Sequence, residues 1–369
     1  MRILFLNCYD KKNPKSGGAE IFTHEFAKRL VKDGHIVDWI SAKFEKSSGH
    51  EVVDGINIHR FSNRIFVLFY AAWFYFQNKK QIDIVIDQFH AYPFFARFYV
   101  PEKKLLLIIH EIADTIWDYM IFFPISAIGK LIERIAISYI YRNVQFITIS
   151  NSTKQDLIAL GIEDANIKIV PEGLEKKKIN YKNIIKKDFQ LICASGIRKM
   201  KRIEAQIDTI DILRKDFPQI RLVITGRTDG KYFQKLQKLI ASKGLKKFIR
   251  FTGFIEKKQL DKLVAESYLM IGTSVKEGWG LAISEAARLG TPSVCYNVPG
   301  YRDSVKHYET GLLTIENTPE KLALAIRRLF LDKKLYAKLQ KGGILYTEDM
   351  DWDLSYEAFK RIIRLGSRS

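Results

Sequence analysis

Residues 274–290 read SVKEGWGLAISEAARLG and follow the apolar run SYLMIGT at 267–273. The run has the composition of a buried strand, Gly278 and Gly280 punctuate the loop, and an amphipathic helix is expected to begin near Leu281. A parallel strand feeding a helix start builds an anion site. The glycines let backbone amides come close to a ligand, the first N–H groups of the helix carry positive partial charge, and phosphate is the natural occupant. Glu277 stands just before that helix and Glu285 lies inside it. Both carboxylates are therefore expected near the crevice that such sheets form at the carboxyl ends of their strands.

Outward from this stretch the same alternation of strand and helix continues in both directions. FQLICAS (189–195), IRLVITG (220–226), KFIRFTG (247–253) and TPSVCYN (291–297) are strand-like runs separated by helical segments. An earlier series holds RILFLN (2–7), a helix from about Ala19 to Asp33, HIVDWIS (35–41), DIVID (83–87), KLLLIIH (104–110) and NVQFITIS (143–150). Alternating β and α elements predict parallel sheets covered by helices. The polar, lysine-rich stretch 175–187 separates the two series and reads as a linker, so the chain is an α/β protein of two doubly wound, Rossmann-like domains. Their expected bounds are 1–178 and 184–348, with two lobes facing one cleft.

Charge and cysteine usage narrow the function. The net charge is +19, and it is uneven: residues 1–180 hold 24 Lys/Arg against 20 Asp/Glu, and residues 181–369 hold 36 against 21. The second half thus carries the field that attracts an anionic partner. Cys8, Cys193 and Cys295 are spaced too widely for a metal or redox pair and read as buried thiols in a reducing compartment. MRILFLNC has too short an apolar run for an export signal and reads as the first strand.

Two segments break the soluble pattern: Ile65–Phe76 (IFVLFYAAWFYF), flanked by Arg64, Lys79 and Lys80, and 116–128 with Trp117, Phe122 and Phe123. Both are far short of the roughly 20 apolar residues of a membrane span. A buried core helix and an interfacial helix whose basic flanks meet anionic headgroups fit the first segment equally. As a helix it would gather Phe66, Phe69, Tyr70, Trp73 and Phe76 on one face, with Phe74 outside the series.

Taken together, Glu277-Gly-Trp-Gly-Leu-Ala-Ile-Ser-Glu285 resembles the E-x7-E signature of the retaining glycosyltransferases of family four, which have the GT-B fold. The resemblance runs along nearly the whole chain. Gly17-Gly18-Ala19-Glu20 is similar to the family's GGAE turn, His110-Glu111 to its strand-end HD or HE pair, and Ile149–Ser152 with KIVPEG (168–173) to its S…VxPNG region. Thr225-Gly226, Thr252-Gly253-Phe254 and Pro299-Gly300-Tyr301-Arg302-Asp303 occupy further landmarks. Asp351-Trp352-Asp353 looks like the turn before the last helix, 351–369, which in this fold crosses back to the N-terminal, acceptor-side domain. The family's G-R-L-x-x-x-K element appears as Ser195–Lys201, with Gly196 where arginine is expected and Arg198 as the substitute; Glu172 and Arg227 are further departures.

The resemblance implies a hexosyltransferase that moves sugar from a nucleotide-diphosphate sugar with retention, without metal or other cofactor. Arg198 and Lys201, with the backbone at Gly278, Gly280 and Leu281, would stabilise the leaving diphosphate. Glu277 would hold donor-sugar hydroxyls, Glu285 the ribose, and Gly253-Phe254 would frame the base. His110 would sit near donor sugar and acceptor, and Gly17, Gly18 and Ser150 would complete the binding residues. The expected partners are a lipid-linked or glycan acceptor and an anionic membrane surface, at the cytosolic face of which the enzyme would lie as a peripheral protein. A GT-B relative that epimerises or only binds its nucleotide sugar is the alternative. A nucleic-acid-binding protein is the weaker one, because no RNA- or DNA-binding motif accompanies the charge.

Overall fold

The computed structural model describes residues 1–90, 92–176 and 184–366, so much of the lysine-rich stretch expected as a linker lies outside the described residues. The chain forms two compact units, one of residues 1–117, 123–173 and 351–369, the other of 118–122 and 174–350.

In the first unit, eight strands form one sheet: β1 (Arg2–Leu6), β2 (Ile36–Ser41), β3 (His50–Val53), β4 (Ile56–Arg60), β5 (Ile84–Phe89), β6 (Leu105–Ile109), β7 (Gln145–Thr148) and β8 (Ile167–Ile169). Their order is β3-β4-β2-β1-β5-β6-β7-β8, parallel except where β3 pairs with β4. β1 and β5 are near-continuous apolar runs because helices cover both their faces. The sheet builds leftward from β1 and rightward from β5, which puts its switch point between those two strands.

Helix α1 (Gly18–Lys32) follows β1, α2 (Phe66–Asn78) follows β4, α3 (Ile125–Ile135) follows β6 and α4 (Asn151–Ala159) follows β7. The crossovers carrying α2 and α3 run the same way along the sheet, so right-handed connection places both helices on one face. Val67, Ala71, Phe74 and Tyr75 of α2 share a single apolar core with Ala136 and Ile137, the residues that continue α3.

The aromatic series of α2 mostly points the other way, with Tyr70 half-buried against that core. Phe66, Phe69, Trp73 and Phe76 are exposed, Phe69 by 70%, and Phe74, the residue outside that series, is buried. A helix apolar all round gives no sequence signal for its inner face, and here smaller or better-fitting side chains took it. α3 likewise exposes Ile125, Ile128, Leu131, Ile132 and Ile135, whereas its acid Glu133 turns inward to accept hydrogen bonds from the amides of Ala113 and Asp114 and from the Trp117 indole. Of the second aromatic segment, Trp117 is buried and Phe122 and Phe123 are exposed. Among the described residues no helix is long and apolar enough to cross a membrane.

In the second unit β9 (Lys187–Cys193), β10 (Arg221–Ile224), β11 (Ile249–Phe251), β12 (Ser267–Gly272), β13 (Ser293–Cys295) and β14 (Gly311–Leu313) form a wholly parallel sheet in the order β11-β10-β9-β12-β13-β14. Its switch point lies between β9 and β12. Helices α5 (Lys257–Glu266) and α6 (Leu281–Arg288) lead into and out of β12. The terminal helix α7 (Trp352–Gly366) belongs to the first unit, where Phe359 stacks on Phe26 of α1 with ring centroids 4.6 Å apart.

Candidate active site

At the switch point of the second sheet the loops after β9 and β12 are sewn together. The Thr273 hydroxyl donates to the Lys201 carbonyl at 2.7 Å, the Gln206 amide donates to the Thr273 hydroxyl at 2.9 Å, and the Val275 amide donates to the Met200 carbonyl at 3.0 Å. These bonds bring together two charges 76 positions apart: Lys201 Nζ and Glu277 Oε1 are 2.5 Å apart, with side chains only 6% and 13% exposed. The same oxygen accepts from the Ser274 hydroxyl at 2.5 Å and from the Tyr301 phenol at 3.3 Å. Burial pushes the Glu277 carboxyl up, but Lys201, Ser274 and the charge of Arg198 outweigh it and hold the pKa below the ordinary carboxylate value. Glu277 is therefore ionised at neutral pH.

Glycine holds the rest of this geometry. Gly280 caps α6 at φ +92°, and a Cβ there would meet the Tyr301 ring at 2.9 Å. Gly300, at φ +81°, lies so close to Glu277 that a Cβ would stand 2.3 Å from its carbonyl oxygen. The Trp279 indole donates to Ser284 at 2.9 Å and pins the loop to the helix. The Ile283 amide is taken by the Gly280 carbonyl at 2.8 Å, whereas helix geometry gives Leu281 and Ala282 at the start of α6 no partner within the helix, so that start offers donors and dipole to an anion.

The other expected donor-side residues have different surroundings. Glu285 is paired with Lys257 of α5 at 2.5 Å, and Lys257 also reaches Asp261 at 3.2 Å. This pair lines a small hollow with Leu174, Glu175, Arg288 and Leu289 rather than contacting Glu277 directly. Arg198 is exposed at the head of the short turn that carries Lys201. Gly253, at φ +73°, accepts the Gly226 amide at 3.1 Å, and Phe254 next to it is 77% exposed, an open face for stacking. Gly196, where the resemblance expects arginine, has φ +74°, a conformation that favours glycine, and a Cβ on Gly226 would lie 2.9 Å from its Cα.

The first unit holds His110, buried at the end of β6. Gln88 orients it. The Asn7 amide donates to Gln88 Oε1 at 2.7 Å, so Gln88 Nε2 is the donor that reaches the Ala19 carbonyl at 3.3 Å and His110 Nε2 at 3.1 Å. His110 Nε2 thus accepts, and the ring proton sits on Nδ1, 3.9 Å from Glu172 Oε1. Burial, aided by the nearby His90, lowers its pKa to about 3. His110 is a neutral hydrogen-bond donor at physiological pH. Ser150 caps α4, and Thr153 passes that bond on to the His110 carbonyl at 2.9 Å. Gly17 and Gly18 are exposed at the start of α1, where the Glu20 carboxylate accepts the Gly17 amide at 2.6 Å.

Sequence reading missed Gln88, Ser274, Tyr301 and Lys257 as site residues. Gln88 lies one residue before the end of a buried strand beside the switch point and Ser274 two residues after β12, positions near the strand ends that such a rule marks. Tyr301 and Lys257 depend on tertiary placement that no spacing reveals.

Residues 16–178 match the model described as Glycosyltransferase Family 4, and residues 175–345 match Glycosyl transferases group 1. The chain is 25% identical over 345 residues to an uncharacterized glycosyltransferase of Methanocaldococcus jannaschii, a match covering 86% of each protein. It is also similar to the GDP-mannose-dependent alpha-(1-6)-phosphatidylinositol monomannoside mannosyltransferase of Mycobacterium tuberculosis, 26% identical over 172 residues and 44% of each chain. The solved structure of HepE from Anabaena, in complex with UDP and glucose, superposes with a TM-score of 0.74 over 99% of each chain at 18% identity. On these grounds the chain belongs to the group 1, family 4 glycosyltransferases and carries their GT-B fold.

Proposed function

We propose that the protein transfers a hexose, with retention of anomeric configuration, from a nucleotide-diphosphate sugar to a lipid-linked or glycan acceptor at the cytosolic face of a membrane. The observation that carries this reading is the Lys201–Glu277 pair, held at the switch point of the second sheet beside the glycine-shaped start of α6. As the glycosidic bond breaks, negative charge grows on the diphosphate, and Lys201, Arg198 and the amides at Gly280 and Leu281 neutralise it without a metal. Glu277, released from Lys201 by the incoming anion, takes the donor-sugar hydroxyls and steadies the electron-poor anomeric centre. Glu285 exchanges Lys257 for the ribose hydroxyls, and Phe254 gives the base a stacking surface. In the first unit, His110 presents its Nδ1–H as a fixed donor for the acceptor.

HepE, solved with UDP and glucose, supports the class of donor, and the phosphatidylinositol mannoside mannosyltransferase supports a lipid acceptor. The exposed apolar residues of α2 and α3 support the membrane setting. The test incubates the protein with UDP- and GDP-sugars and a membrane lipid extract, then reads the product by mass and anomeric proton coupling. A glycosylated lipid or glycan with the donor's anomeric configuration is expected. An inverted product, or an epimerised donor with no transfer, would overturn the reading.

A further inference from the structure

The switch point of the first sheet also carries a cation. Arg64 stands before α2, but its guanidinium does not extend from the end of the helix, as the sequence suggested; it lies over the ring of Tyr9, 5.4 Å from the centroid, and over that of Tyr92, at 5.3 Å. Tyr9 is on the loop after β1 and Tyr92 on the loop after β5, the two strands that flank the switch point. Among the described residues Arg64 has no acidic partner, unlike Arg60 four positions earlier, which is fully buried against Asp10 and Glu51. The amides that open α2 are already taken, since Asn63 Oδ1 accepts from both Ile65 and Phe66. The positive charge available here is the guanidinium itself.

We propose that Arg64, ordered over Tyr9 and Tyr92, seats a phosphate group of the acceptor substrate. This rests on the reading of the first unit as the acceptor side of a sugar transferase. Arg64 also donates toward the Tyr92 hydroxyl and the Cys8 thiol, which further fixes the guanidinium, and the rest of its five N–H donors match phosphate oxygens. The crevice outside the carboxyl ends of strands at a switch point is where such sheets bind ligands. Arg64 also lies two residues before Phe66, the first of the exposed aromatics Phe66, Phe69, Trp73 and Phe76, so a phosphate held here sits at the margin of an apolar face. Lys79 and Lys80 just past α2 and Arg134 on α3 are exposed cations near that face, and Glu133 is turned inward. A phosphate carried by a lipid suits this placement, and a small soluble phosphorylated acceptor presents the same chemistry.

The test compares wild type, Arg64→Gln, Arg64→Lys and Trp73→Ser, each with excess UDP present to occupy the donor site. One arm titrates glycerol 3-phosphate calorimetrically; the other floats phosphatidylcholine vesicles with and without phosphatidic acid. UDP affinity and melting temperature are measured for every variant. Loss of the charged hydrogen bonds is expected to weaken phosphate binding about tenfold or more in Arg64→Gln, with partial recovery in Arg64→Lys and unchanged UDP affinity. An effect confined to the vesicle arm, shared by Trp73→Ser, assigns the phosphate to a lipid; an effect in the soluble arm assigns it to a small acceptor. Equal binding by wild type and Arg64→Gln in both arms, or no binding by wild type in either, overturns the proposal. Failure of UDP itself to bind wild type strikes instead at the donor reading and leaves the Arg64 comparison intact.

Discussion

Each sheet reverses its direction of growth once, and the two switch points are built with opposite electrostatics. Between β9 and β12 a lysine and a glutamate are nearly sealed from solvent at 2.5 Å, with glycines pressed against them. Beside the β1–β5 switch point, at the end of the neighbouring β6, stands a neutral, buried histidine, and the cation nearby rests on two phenol rings. One fold repeated twice thus presents two kinds of chemistry. The second unit stores a charge pair that an anion can split, suited to a leaving group whose charge grows; the first holds fixed hydrogen-bond donors, suited to recognising a group whose charge does not change.

The largest expected effect falls on the charged switch point. Lys201→Ala should lower turnover about a hundredfold to a thousandfold, the usual consequence of deleting a donor to developing negative charge, and Glu277→Gln should lose transfer while still binding nucleotide. Steady-state kinetics with a labelled nucleotide sugar would check both. If His110→Gln lost as much as Lys201→Ala, the distinction between the two switch points would collapse.

Next comes the backbone that holds Glu277. Gly300→Ala combines a positive φ with a Cβ 2.3 Å from a carbonyl oxygen, so a loss of about 2 to 4 kcal/mol is expected. Gly18→Ala, where a Cβ has nothing within 4 Å, should be neutral or slightly stabilising because it opens a helix. Urea denaturation of the two variants measures the contrast.

The neutral switch point makes a pH prediction. The pKa of His110 falls from 6.5 to about 3 on folding, so the unfolded chain takes up a proton first as the solution is acidified. Its contribution is fully present above pH 6.5 and is lost toward pH 3, at about 1.4 kcal/mol per pH unit within that window. His110→Gln should flatten the decline in melting temperature below pH 6.5 relative to wild type. A parallel decline would mean that the ring is already protonated in the folded protein.

The smallest effect on stability is expected on the outer face of α2. Phe69→Ser with Trp73→Ser changes two exposed side chains, so the fold should lose under about 1 kcal/mol while vesicle flotation disappears. Strong destabilisation would return these aromatics to a packing role.

How much of this was readable in the sequence depended on whether the information was local. SYLMIGT followed by Gly278, Gly280 and an amphipathic run specifies strand, tight loop and helix within two dozen residues, and β12 and α6 lie where expected. The orientation of α2 was not local. Every face of FVLFYAAWFYF is apolar, and only the fit to the β-sheet selected Val67, Ala71, Phe74 and Tyr75 for the inside. The Lys201–Glu277 contact and the Gln88–His110 contact both need the strand order, since they join loops from different strands. Composition marked Arg64 as a basic flank, but two tyrosines from distant loops decided where its charge went.

The central claim is that the switch point of the second sheet holds a nucleoside diphosphate through Lys201. Calorimetric titration of UDP, GDP and ADP into wild type, Lys201→Ala and Glu285→Ala tests it directly. Wild type should bind at least one of the three at a single site, with at least about tenfold weaker binding in Lys201→Ala and weaker binding in Glu285→Ala. Binding of none of them by folded wild type, or equal affinity in Lys201→Ala, would contradict the account.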